Sequence, residues 1–97
     1  MSHTEPTAET ERIWMVERTF SADSPHILVI VYATPDGARY RQKERAFNRF
    51  GASAPEVTAA IEASPDELRP VETADRRERY ATEAERMRDR HDPDDAV

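Results

Sequence analysis

The chain has 97 residues, no cysteine and a formal net charge of −6, its 20 Asp and Glu outnumbering 14 Lys and Arg, with Lys43 the sole lysine. One domain fits that length and no more, and a domain so small buries only about 60–65% of the surface its unfolded chain exposes. The missing thiols exclude disulfides, thiolate metal sites and cysteine nucleophiles and suit a reducing cytosol, while the longest apolar run, Ile27–Ala33, is far short of the roughly 20 residues a membrane span needs.

Residues 1–10 mix Thr, Glu, Ser and Pro with nothing to bury, and are expected to form a disordered acidic tail ahead of a single domain over residues 11–91. Residues 12–20 follow with Ile13 and Met15 alternating against Trp14, Val16 and Phe20, a half-buried strand. Trp14 reads as core. Loop residues around Ser24 and Pro25 then lead to Ile27–Ala33, whose β-branched and aromatic side chains predict a strand covered on both faces.

Thr34-Pro35-Asp36-Gly37 is a turn: proline presets φ, Asp bonds its own backbone, and glycine accepts positive φ. A three-residue hairpin loop with Gly37 left-handed would set Ala33 opposite Arg39, Tyr32 opposite Tyr40 and Val31 opposite Arg41. The third strand is then residues 38–46; a helix over residues 41–50 competes, because Gln, Lys, Glu, Arg and Ala are good helix formers. Under that register one face carries Leu28, Ile30 and Tyr32 with Tyr40, Gln42 and Glu44. The other carries Ile27, Val29, Val31 and Ala33 beside Arg39, Arg41, Lys43 and Arg45.

Beyond Gly51, Ser53 with Glu56 reads as a capping box opening a helix to about Ala63 that buries Val57, Ala60 and Ile61. Ser64-Pro65-Asp66-Glu67 repeats that grammar, but Pro70 leaves room only for a short helical turn around Leu68. Thr73 caps a final helix over residues 74–91, with a narrow apolar stripe of Tyr80, Ala84 and Met87 and Ala81 beside it. Residues 92–97 are an acidic C-terminal tail with a proline stop. The sum is an α+β fold: a three-stranded antiparallel β-meander followed by two main helices, with a short helical turn between them.

The segments WMVERTF at residues 14–20, YATPDG at residues 32–37 and ERYATEAERMRDRHDPDD at residues 78–95 resemble a small family of uncharacterised haloarchaeal proteins of unknown function. The resemblance covers most of the chain and implies no activity and no functional residues. The composition agrees with that habitat. A net charge of −6 makes the compact state repel itself, and molar salt, with a Debye length of about 3 Å, screens the repulsion. A high-GC genome also favours Arg over Lys, without explaining the carboxylate excess.

Signals for catalysis are missing. Gly37 and Gly51 are both accounted for by turns, so no phosphate-cradling loop can be built, and no Ser lies in a nucleophile-elbow context. His91 suits the end of a helix through the dipole alone, and the order His91-Asp92-Pro93-Asp94-Asp95 matches neither EF-hand nor zinc spacing. We therefore expect no enzyme, no cofactor and no metal site. The local contradiction is a basic stripe, net +4 over residues 38–50, inside an acidic protein. Arginine stems lying over Val29 and Val31 would explain it without a partner. A protein interface of Val29, Val31, Arg39, Arg41, Lys43 and Arg45, in a homodimer or with a small protein partner, is the functional reading. The alternative is a nucleic-acid-binding accessory protein that uses Arg39, Arg41, Lys43, Arg45 and Arg49 on phosphates, with Tyr40, Phe47 or Phe50 to stack. Either form is expected in the cytoplasm and off the membrane.

Overall fold

The computed structural model of the chain describes residues 10–23, 26–46 and 57–97. Its centre is the strand Ile27–Ala33 (β2), flanked by Glu11–Phe20 (β1) and Arg39–Ala46 (β3). Ile30, Val31, Tyr32 and Ala33 are all buried in succession, so β2 is covered on both faces as its continuous apolar run predicts. Outside β1 lies Ala60–Ala63 (β4), and outside β3 lies the two-residue strand Arg69–Pro70 (β5). The sheet is antiparallel throughout, in the order β4-β1-β2-β3-β5. The one α-helix among the described residues is Ala74–Arg90 (α1).

This corrects the expected three strands and two main helices. The helix expected to run to Ala63 is not there in its described part: residues 57–59 are non-helical, with an isolated bridge at Thr58 and a bend at Ala59, and Ala60–Ala63 pairs with β1, Ile61 opposite Ile13 and Ala63 opposite Glu11. The local helix propensity of Ala and Glu loses to the unpaired edge of β1, which offers a ladder partner for every second backbone group. The capping box at Ser53 and Glu56 lies outside the described residues, as do Phe47, Arg49, Phe50 and the first nine positions. The helical turn around Leu68 does form, as a 3-10 turn over Pro65–Glu67, and the Glu67 carboxylate accepts the Ser64 N–H at 2.9 Å.

The sheet's faces are assigned by two local events. The first is a bulge at Val16: Met15 pairs with Tyr32, but Glu17 pairs with Val31. One extra residue in β1 turns the rest of that strand over, so Arg18 and Phe20 share a face with Ile30 and Leu28. The second is the β2–β3 loop, which has four residues rather than three. The Thr34 N–H donates to the Arg39 carbonyl at 3.0 Å, and the Thr34 hydroxyl accepts the Arg39 N–H at 3.2 Å. Asp36 Oδ1 accepts from the Thr34 hydroxyl at 2.6 Å and from the Ala38 N–H at 3.0 Å, which keeps Ala38 inside the loop. The observed register is therefore Ala33–Tyr40, Tyr32–Arg41, Val31–Gln42, Ile30–Lys43, Val29–Glu44 and Leu28–Arg45. It is slipped by one from the expected one, and a one-residue slip exchanges the faces.

Helix α1 lies on the face that carries Trp14, Val31 and Ala33. Ala84 meets Trp14, Ala59 and Ala60, while Tyr80 packs with Val31, Ala33 and Val71 and meets Tyr40 edge-on at 6.5 Å between ring centroids. Thr73 caps the helix by accepting the Arg76 N–H. On the other face Ile13, Met15, Leu28, Ile30 and Tyr32 cluster with Val57 and Ala63, and Leu68 packs against them. The Tyr32 hydroxyl donates to the Thr58 carbonyl at 3.0 Å. After α1 the chain returns along residues 57–60: the Ala59 N–H donates to the Asp95 carbonyl, Ala60 to Pro93, and Val97 to Val57. The acidic C-terminal residues thus cover the outer side of the segment leading into β4.

Candidate functional site

Alternation along β3 places Arg39, Arg41, Lys43 and Arg45 on one face and Tyr40, Gln42 and Glu44 on the other. The observed register sets the cations beside Tyr32, Ile30 and Leu28, opposite the face of Val29 and Val31. Val31 lies buried beneath Tyr80. The six residues expected to form one contact surface are therefore divided between the two sides of the sheet. Tyr40 is likewise separated from the cations it was expected to assist, its ring held against Tyr80.

The cations differ in how they are balanced. Arg39 donates to Glu11 at 2.7 Å across the end of β2, and Arg41 pairs with Glu67 at 3.4 Å. Among the described residues no carboxylate pairs with Lys43, Arg45 or Arg18. Burial first, then Arg45 and Arg41, hold the Lys43 ammonium's pKa below its ordinary value, against an opposing pull from Glu67. Arg45 and Arg18 also act on the Tyr32 phenol, whose pKa burial nevertheless pushes up. The result is a half-buried positive strip on a protein whose remaining charge is negative. Arg18 was not visible as a member of it, because only the bulge at Val16 turns that side chain to this face.

The backbone of β3 adds a second feature. Arg39 bonds inward to β2 through Thr34, whereas the Ala38 carbonyl accepts the Val71 N–H from outside. Alternation then directs the N–H and C=O groups of Tyr40, Gln42 and Glu44 outward. Strand β5 pairs only with Arg39 and Tyr40. Among the described residues, nothing pairs with the outer edge over residues 42–46. Where β5 ends, a cleft of about 540 Å³ opens, lined by Tyr40, Arg41, Gln42, Asp66, Glu67 and Arg69. The Glu67 carboxylate at its wall is committed to Arg41 and to the Ser64 N–H.

Elsewhere the ionic groups serve the fold. Arg79 bonds Glu17 and ties α1 to β1, Arg12 bonds Glu62 between β1 and β4, and Arg86 bonds Glu83 along the helix. His91 Nδ1 lies 3.7 Å from Asp95, whose carboxylate also accepts the Asp92 N–H. Among the described residues no group of three or more His, Asp and Glu side chains is gathered closely enough to hold a metal ion. No helix among them is long and apolar enough to cross a membrane.

Fold and site together define a small α+β domain, a five-stranded antiparallel sheet with a single C-terminal helix and a cationic strip along β3, whose outer edge over residues 42–46 has no partner among the described residues. The chain belongs to the family described as a family of unknown function (DUF7967), which matches residues 7–97. No curated protein and no solved structure matches it.

Proposed function

We propose that this is a non-catalytic protein-binding domain that takes an extended partner segment as an added strand along the outer edge of β3. The observation that carries this reading is the mismatch in length between β3 and its neighbour: β5 pairs with two residues, and among the described residues nothing pairs with the outward backbone groups of Gln42 and Glu44. An open edge of this kind is a template for main-chain pairing, and natural sheets use it for peptide recognition. Nucleic-acid binding is less well supported, since Tyr40 faces away from the cations and is occupied by Tyr80.

Substituting Glu44 by proline tests the reading. The Glu44 N–H points away from β2, so the fold tolerates its loss as edge positions do, whereas an incoming strand loses a bond and meets the ring. Amide exchange at Gln42 and Glu44 should be fast in the free protein and slowed when an extended peptide binds. Peptide binding that leaves both amides unprotected and is unaffected by Glu44→Pro would remove strand addition as the mode.

A further inference from the structure

We infer that the partner segment is acidic, carrying carboxylates at alternate positions so that they stand opposite Lys43 and Arg45, with a neutral or basic residue between them; this rests on the strand-addition reading above. Residues 41, 43 and 45 bond inward to β2, so with respect to an added strand they occupy the non-hydrogen-bonded positions. Side chains come closest there, at about 4.5 Å between Cα atoms, and cross-strand charge pairs have most effect. Alternate side chains of an extended chain stand about 6.5–7 Å apart on one face, the same repeat as Lys43 and Arg45.

Intramolecular balance selects the two residues. Glu11 already neutralises Arg39 and Glu67 already neutralises Arg41, which leaves Lys43 and Arg45 without a carboxylate among the described residues. Gln42 and Glu44 are exposed on the opposite face. A carboxylate beside Glu44 would be repelled, so the residue between the two acids should be neutral or cationic. The requirement is a pattern, not bulk negative charge.

A second copy of the chain does not meet it. Antiparallel pairing of two β3 edges about Lys43 would set Lys43 against Lys43 and Arg41 against Arg45, and like charges directly opposite are destabilising. Cationic side chains on an exposed edge are also a common device against self-pairing.

The test uses the full chain with short fluorescent peptides alternating Thr with Glu, Thr with Gln or Thr with Lys, together with a single-stranded oligonucleotide, read by anisotropy. The Thr/Glu peptide should bind at least roughly tenfold more tightly than the Thr/Gln peptide, weaken with added salt, and protect the Gln42 and Glu44 amides. The double change Lys43→Gln with Arg45→Gln, which keeps an aliphatic stem over Leu28 and Ile30, should remove that preference. Lys43→Glu with Arg45→Glu should transfer it to the Thr/Lys peptide. Equal binding of all three peptides with both amides protected would overturn the acidic class while leaving strand addition in place. Binding of the oligonucleotide alone, or of no probe, would overturn both.

Discussion

Gly37 lies directly on the backbone of Arg77: a Cβ built at position 37 would sit 2.1 Å from the Arg77 carbonyl oxygen and 2.7 Å from the Ala81 nitrogen. The tip of the β2–β3 hairpin is thus packed against the N-terminal half of α1, and there the hairpin and the helix meet backbone to backbone. Position 37 also has φ +73, where a side chain is strained whatever the space around it.

Replacing Gly37 by Ala should therefore lower unfolding free energy by about 3 kcal/mol or more, because both the turn and the helix must move. Urea denaturation measures it. A loss under about 1 kcal/mol, the range of an ordinary exposed substitution, would mean that the hairpin tip does not press on α1.

Asp36 should set part of the acid sensitivity. The bond from the Thr34 hydroxyl first, then that from the Ala38 N–H, hold its carboxyl below the ordinary value of 3.8. The folded pKa lies below the unfolded one, so the stabilisation is fully present above the unfolded value and is lost as pH falls through the folded one. Between about pH 4 and pH 2 the wild type should lose more stability than Asp36→Asn, which keeps an acceptor but does not titrate. Parallel acid limbs for the two proteins in denaturation followed by circular dichroism would contradict the turn geometry.

The C-terminal return should matter to stability. Removing residues 92–97 deletes the carbonyl acceptors for Ala59 and Ala60, the Val97 donor to Val57 and the Val97 side chain that packs on both clusters. Three backbone bonds and one partly buried aliphatic predict a loss of about 2–4 kcal/mol. Val97→Ala alone should lose about 1 kcal/mol. A truncated protein as stable as the full chain in thermal unfolding would show that the return is passive.

Added salt should stabilise the protein. At a net charge of −6 the folded state is compressed against its own repulsion, and molar KCl shortens the Debye length to about 3 Å. The ion pairs that salt weakens, such as Arg12–Glu62 and Arg79–Glu17, are partly exposed and each is worth only about 0–1 kcal/mol. A calorimetric Tm that rises from dilute buffer to molar KCl is expected. A falling Tm would sink the charge account.

Much of the fold was legible because local chemistry decided it. The double-sided burial of β2, the Thr34–Gly37 turn, the short turn after Ser64 and the helix capped by Thr73 with its Tyr80–Ala84–Met87 stripe each follow from residues adjacent in sequence. Residues 41–46, open to either strand or helix on propensity, are strand in the structure. The failure at Ala60–Ala63 is instructive: Ile61 favours a strand but the Ala and Glu around it do not, and pairing with the edge of β1 made extended backbone the better choice.

The candidate site was legible as a list of cations and not as a surface. Nothing in the letters around Val16 marks a bulge, and Thr34 and Asp36 reveal a four-residue loop only once their side chains are seen bonding Arg39 and Ala38. Each event adds a single residue, and because strand side chains alternate with period two, each exchanges one whole face for the other. The chain's own letters thus determined its charge balance, its missing catalytic signals, its central strand and its last helix, all of which depend on residue type and near neighbours. Which side of the sheet received Lys43 and Arg45, which carboxylates neutralised Arg39 and Arg41, and where β3 lacks a neighbour among the described residues were decided by contacts between residues distant in sequence, and only the tertiary structure contains those.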